Sequence, residues 1–258
     1  MSDITAGYRM LYDLHTHTIY SRHHHGRGTI EENVRAAVQK GLQRIAITDH
    51  GPGHLFYGVR RQALPEMRAE IDRLQKRYPQ IEILLGVEAN ICHDGRHLDL
   101  GEEERQYLDL VLAGYHYGIR HGDCLANWLW QHRIGRTTSR EERLRERNTE
   151  MTIAALRENQ IAVLTHPGDK GPLDIAAVAK VCAERQVLME ISTHHPHLTR
   201  EEIEIAMRED VRFIISSDAH RPADVGTWKE GLERALQAGL DPQRIVNIAP
   251  CDEAGSGF

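Results

Sequence analysis

Seven short apolar runs, at 12–14, 45–48, 81–87, 108–113, 161–164, 187–191 and 213–215, punctuate the chain, and stretches with helical character lie between them. Several of the runs are continuous rather than alternating, which suits strands buried on both faces of a parallel sheet. At 258 residues the chain admits two small domains or one α/β barrel. No Pro/Gly/Ser-rich linker separates two halves, and no internal repeat is present, so the simpler expectation is a single domain spanning residues 1–258.

The intervening segments carry helix signals with physical causes. Ile30, Val34, Val38 and Leu42 recur at four-residue spacing, and Thr29 with Glu32 three residues later forms a capping box. Pro65 stands at a first turn ahead of Met67, Ile71 and Leu74, and Ser139 with Glu142 and Thr199 with Glu202 open two more helices. The stretch 173–185 reads as another helix. The segment 115–138, which holds Trp128 and Trp130, gives no clear pattern, and the tail after Pro250 is expected to fray.

Composition narrows the function classes. A net charge of −6, with acidic and basic residues interspersed, provides no broad electropositive field, so nucleic acid is not an expected partner. Residues 1–10 lack a basic and an apolar leader region, and no run approaches about 18 apolar residues, so a membrane is not expected and a cytoplasmic location is. Cys92, Cys124, Cys182 and Cys251 show no Cys-x-x-Cys spacing and read as reduced thiols. Oligomeric state is not legible.

The ends of the apolar runs carry the chemistry. His15 and His17 follow the first, Asp49-His50 the second, Glu88 ends the third, His116 follows the fourth, His166 the fifth, and Asp218 with His220 the seventh. In an extended segment side chains alternate faces, so the imidazoles of a His-x-His pair point the same way and can share an ion. Each residue alone has an ordinary reading as a loop histidine or a capping carboxylate. Together, at equivalent ends of successive strands, they match the rim of a barrel where functional residues gather. Nitrogen and carboxylate donors without cysteine suit zinc, manganese or iron, and their number exceeds what one tetrahedral ion needs. Glu88 is the natural bridge between ions, because it is the isolated carboxylate of an apolar strand; a salt bridge to an arginine is its alternative role.

The motifs Asp13-Leu14-His15-Thr16-His17-Thr18, Thr48-Asp49-His50-Gly51-Pro52, Gly86-Val87-Glu88-Ala89-Asn90, Ala113-Gly114-Tyr115-His116, Thr165-His166-Pro167-Gly168 and Ser217-Asp218-Ala219-His220 resemble the PHP (polymerase and histidinol phosphatase) family, in particular its stand-alone bacterial phosphatase branch. The resemblance implies a distorted seven-stranded, TIM-like (β/α)7 barrel with a trinuclear centre, usually of zinc, at its mouth. It implies one ion on His15, His17, Glu88 and Asp218, a second sharing Glu88 with His116 and His166, and a third on His23, His50 and His220. His24 and His25 stand beside His23, and any of the three can fill that place. The sequence 192–197 is richer in histidine than the family pattern.

Three divalent ions against two carboxylates leave a positive pocket that favours an anionic substrate. The resulting expectation is a metal-dependent phosphatase of small phosphate monoesters, in which a water bridging two ions ionises near neutral pH and attacks phosphorus in line. Glu88 and Asp218 would hold the reacting centre, and His195 is a candidate to protonate the leaving group. Lys170 and Arg221 are candidate phosphate contacts, with plain surface charge as their alternative, and Asp13 and Asp49 are candidates to orient ligand histidines. The competing readings are a dedicated histidinol-phosphate phosphatase, an amidohydrolase-like hydrolase with a lysine-bridged or mononuclear centre, and a domain that only binds metal.

Overall fold

The structure is a computed structural model that describes residues 3–92, 95–119 and 123–251. Along the chain the elements are β1 (Tyr8–Met10), β2 (Tyr12–Asp13), α1 (Ile30–Gln39), β3 (Arg44–Ile47), α2 (Leu64–Arg77), β4 (Glu82–Asn90), α3 (Glu102–Arg105), β5 (Leu110–Gly114) and α4 (Cys124–Gln131). They continue with α5 (Thr138–Glu158), β6 (Val163–Leu164), α6 (Ile175–Arg185), β7 (Leu188–Ser192), α7 (Arg200–Ala206), β8 (Phe213–Ser216), α8 (Lys229–Gln237) and β9 (Ile248–Pro250). Strands β2 to β8 form one seven-stranded sheet in sequential order, with every neighbouring pair parallel. This is the expected α/β barrel.

Period-two alternation divides each strand between two cores. Ile83, Leu85, Val87 and Ala89 of β4 pack into the large cluster that includes Ile30, Val34, Met67 and Ile71 of the surrounding helices. The intervening positions face inward, where Leu14, Ala46, Leu112, Val163 and Ile214 from five strands or strand ends form a small separate cluster. Toward the C-terminal end of β4 the inward positions become Glu88 and Asn90, both fully buried. The barrel is thus filled with apolar side chains below and polar ones above.

Closure between the first and last strands is incomplete and is made by two devices. At the C-terminal rim His17 N–H donates to the Ala219 carbonyl at 2.8 Å, and Ala219 N–H to the His15 carbonyl at 3.3 Å, which joins the two metal-ligand motifs at opposite ends of the sequence. Lower down, the buried Asn247 side chain donates to the carbonyls of Tyr12 and Ile215 and accepts from Ile215 N–H, satisfying edge groups that no strand pairs.

The capping boxes at Thr29 and Thr199 are formed as expected. Helix α5 departs from expectation: its cap is Thr137, two residues ahead of Ser139, because Thr137 Oγ1 accepts from Arg140 N–H. Strand β4 runs on to Asn90, so Glu88 lies within the strand rather than ending it. The three-residue strands β1 and β9 pair antiparallel, a ribbon the sequence does not announce. The tail expected to fray begins after Pro250; Cys251 is exposed and donates its N–H to the Gly7 carbonyl at 2.8 Å, and residues 252–258 lie outside the described residues. No helix among the described residues is long and apolar enough to cross a membrane.

Candidate metal centre

Six of the seven sheet strands deliver ligand candidates to the same rim. His15 and His17 follow β2, His50 follows β3, Glu88 lies in β4, His116 follows β5, His166 follows β6, and Asp218 and His220 follow β8. All except His220 are buried. His166 and Asp218 both take positive φ, at 26° and 51°, an unfavoured backbone for residues with side chains and one that concentrates at functional sites.

Glu88 stands at the centre of the cluster. Its Oε1 lies 2.9 Å from His166 Nε2 and 3.1 Å from His116 Nε2, while its Oε2 lies 3.0 Å from His50 Nδ1, 3.4 Å from His15 Nε2 and 3.7 Å from His17 Nε2. The two oxygens therefore face two different sets of imidazoles. Thr165 Oγ1 donates to Oε1 at 2.8 Å and fixes the carboxylate. Asp218 Oδ1 lies 3.1 Å from His17 Nε2 and 3.5 Å from His15 Nε2, and those two nitrogens are 3.1 Å apart. A third group brings His17, His50 and His220 together, and His220 Nε2 lies 2.9 Å from His25 Nε2.

These side chains fit metal ions better than one another. Both nitrogens of His50, His116 Nε2 and Glu88 Oε2 are buried without a hydrogen-bond partner, although their neighbours stand close. Buried polar groups are rarely left so, and donors converging on a common point are the usual cause at a metal site. Tetrahedral zinc with bonds of about 2.0–2.1 Å spaces its ligand atoms roughly 3.3 Å apart, which the separations above bracket.

The electrostatics agree except at His15, where burial lowers the imidazole but Glu190, Asp218 and Glu88 together raise it well above its ordinary value. Burial raises the Glu88 carboxyl, but the facing His116 and His15 imidazoles outweigh it and hold it well below the usual range. Asp218 behaves alike, with His15 and His17 opposing burial. Burial, with His220 and His50 adding repulsion, depresses His17 far below its ordinary value. Burial likewise takes His116 down to about 4, against the pull of Glu88. Neutral imidazoles and ionised carboxylates are the forms that bind metal.

A surrounding layer orients the ligands, and part of it escapes the sequence reading. Glu190 of β7, fully buried, lies with Oε1 2.7 Å from His15 Nδ1 and accepts from His166 N–H on Oε2 at 2.8 Å. It is an isolated carboxylate in an apolar strand, the signal that singled out Glu88. Asn90 Oδ1 lies 2.9 Å from His116 Nδ1, and Asp99 accepts from the Asn90 amide. His220 Nδ1 donates to the Asp218 carbonyl at 2.8 Å. Asp49 reaches His17 only through Ser21, whose hydroxyl donates to Asp49 and lies 3.4 Å from His17 Nδ1. Asp13 touches no imidazole; it accepts from Ser217 and Gly226 and so fixes the backbone beside Asp218.

The structure does not bring His23 to the cluster. His23 and His24 are exposed, and both take left-handed φ values of 58° and 60°. That turn carries their rings outward and brings in the half-buried His25, whose ring lies 4.9 Å from that of His50 and 4.4 Å from that of His220. His25, not His23, is the histidine of this loop that stands beside His50 and His220. His195 stands beside the centre, 3.3 Å from Asp218 Oδ2 and 3.3 Å from Asp169 Oδ2. Burial lowers it, but those two carboxylates raise it to about 9. Lys170 is engaged by Asp169 at 2.6 Å, and Arg221 is exposed on the surface beside His220.

Comparison with known proteins agrees with this geometry. The chain is 32% identical over 254 residues to a probable phosphatase of Thermoanaerobacter sp., covering 93% of this chain and 91% of that one. It is 31% identical to a probable phosphatase of Proteus mirabilis, covering 92% and 90%. Among solved structures, histidinol phosphate phosphatase from Lactococcus lactis, complexed with zinc, L-histidinol and phosphate, superposes with a TM-score of 0.60 at 17% identity, over 90% of this chain and 95% of that one. The PHP domain profile matches residues 13–195, and with its full-length relatives this places the chain in the PHP domain family.

Proposed function

We propose that this metal-dependent phosphoesterase is a phosphatase of small phosphate monoesters with three divalent ions in its centre, zinc first, with manganese or iron as alternatives. One ion would be held by His15, His17, Glu88 and Asp218, a second by Glu88, His116 and His166, and a third by His25, His50 and His220. The observation that carries the reading is the two-sided setting of Glu88, whose oxygens face His116 and His166 on one side and His15 and His50 on the other. The zinc preference follows what the Lactococcus lactis structure contains.

The chemistry such ions supply when bound is acidification of water near neutral pH and neutralisation of charge growing on phosphoryl oxygens. The chain's own residues do the rest. Glu190, Asn90 and Ser21 aim the imidazoles of His15, His116 and His17. The excess of cationic charge over Glu88 and Asp218 draws an anionic substrate. His195, kept charged by Asp169 and Asp218 and partly open to solvent, is placed to donate a proton to the leaving oxygen. Lys170 is committed to Asp169, so its part in binding phosphate is secondary.

Zinc-loaded protein is therefore expected to release phosphate from generic monoesters and from a panel that includes histidinol phosphate, to lose that activity to a chelator, and to regain it with zinc. Cleavage of single-stranded DNA in preference to every monoester, at equal metal loading, would overturn the proposal. Glu88, not a lysine, stands between the two sets of imidazoles, which speaks against a lysine-bridged amidohydrolase centre.

A further inference from the structure

We infer that Tyr57, stacked on His25 and clamped through Arg22, is the positioning residue that makes His25, rather than His23 or His24, the ligand of the third ion; the inference rests on the metal-centre reading above.

Two loops meet at this point. The first, residues 14–29, brings His15, His17 and His25, and the second, residues 48–60, brings His50, His54 and Tyr57. The Tyr57 ring lies 5° from parallel to that of His25 with centroids 4.0 Å apart, and it also stacks on His54 at 4.9 Å and 26°. His54 is fixed in turn, because its Nδ1 accepts from Tyr57 N–H at 3.1 Å and Phe56 N–H at 3.3 Å. The flat face offered to His25 is thus held by its own loop.

Arg22 fastens the loops together. Its guanidinium donates to the carbonyls of Gly58, His54 and Leu55, and its backbone N–H donates to the Tyr57 carbonyl at 3.1 Å. His25 N–H closes a turn onto the Arg22 carbonyl at 3.3 Å, with His23 and His24 as the two left-handed central residues, the φ pattern of a type I′ turn. Non-glycine residues pay for that conformation, so the turn needs support from outside itself. Beyond it Gly26 presses on the first loop so closely that a Cβ would lie 2.0 Å from the Thr18 carbonyl oxygen. The backbone is pinned on both sides of three successive imidazoles, and Tyr57 is the surface on which only the third can lie.

The test is zinc stoichiometry and affinity, by elemental analysis and chelator competition, on the parent and on Tyr57→Ala, Tyr57→Leu and Tyr57→Phe, with a melting curve for each. Tyr57→Ala and Tyr57→Leu should weaken one ion about tenfold and leave the other two at parental affinity. Tyr57→Phe, which keeps the flat face, should stay within about twofold of the parent. Parental affinity for every ion in Tyr57→Ala, or Tyr57→Leu binding as tightly as Tyr57→Phe, would overturn the inference alone. A parent that binds no zinc would overturn the metal-centre reading and this inference with it.

Discussion

Glu190→Gln is the substitution whose consequence can be worked furthest from the geometry. The carboxylate presents one oxygen to His15 Nδ1–H and the other to His166 N–H, both in a fully buried setting. Glutamine keeps the shape but offers one acceptor to two donors. One donor must therefore be left unpaired or opposed by the amide N–H, at about 1–3 kcal/mol. At about 1.4 kcal/mol per decade this corresponds to roughly 5- to 140-fold in affinity for the ion at His15, which spans the roughly 10- to 100-fold found when groups behind a ligand are removed. A second effect opposes it. Burial lowers His15, but Glu190, Asp218 and Glu88 together raise it well above its ordinary value, so in the metal-free protein it carries a proton that zinc must displace. Glutamine weakens that competition. The loss of affinity should accordingly be smaller at neutral pH than at alkaline pH, where His15 is less protonated in the parent. Zinc competition against a chromophoric chelator at both pH values measures this. An affinity within twofold of the parent at both would refute the role assigned to Glu190.

Three further outcomes follow. His25→Ala should lose one zinc ion per chain, whereas the double variant His23→Gly/His24→Gly, which removes the neighbouring imidazoles and suits the left-handed turn, should retain the parental count by elemental analysis. The metal-free protein should melt at a maximum near pH 6.5. Burial, with neighbouring imidazoles adding repulsion, takes His25 and His54 down to about 3, and burial takes His116 to about 4 against Glu88. Their contribution is complete above the unfolded value of 6.5 and is lost as pH falls toward 4. His195, raised to about 9, contributes fully below 6.5 and loses that contribution as pH rises through 9, so melting temperatures rising steadily across this range would contradict the assignment.

The barrel was legible because its cause is local and repeated. All seven sheet strands coincide with apolar runs in the sequence, and the capping boxes at Thr29 and Thr199 stand where their spacing places them. The strand-borne donors were legible for the same reason, since a residue at the end of a barrel strand has few directions in which to point. What stayed hidden depends on loop backbone. No spacing rule distinguishes His23, His24 and His25; two left-handed φ values, Gly26 lying against Thr18 and the Tyr57 ring stacked on His25 set them apart. Asp13 and Asp49 act on backbone and on Ser21 rather than on an imidazole, a distinction of a few ångströms that composition does not record. Helix α4, without a side-chain cap and only eight residues long, left no terminus signal within 115–138. Glu190, by contrast, was available to the same argument that singled out Glu88.

The shared carboxylate is the centre of the account, and Glu88→Gln tests it with least disturbance of shape. Zinc content and phosphomonoester hydrolysis, measured on the same preparations of parent and variant, decide the matter. The variant should lose the two ions that share Glu88, keep the one on His25, His50 and His220, and have no phosphatase activity above background. A variant with the parent's full zinc content, or with hydrolysis at the parental rate, would contradict it.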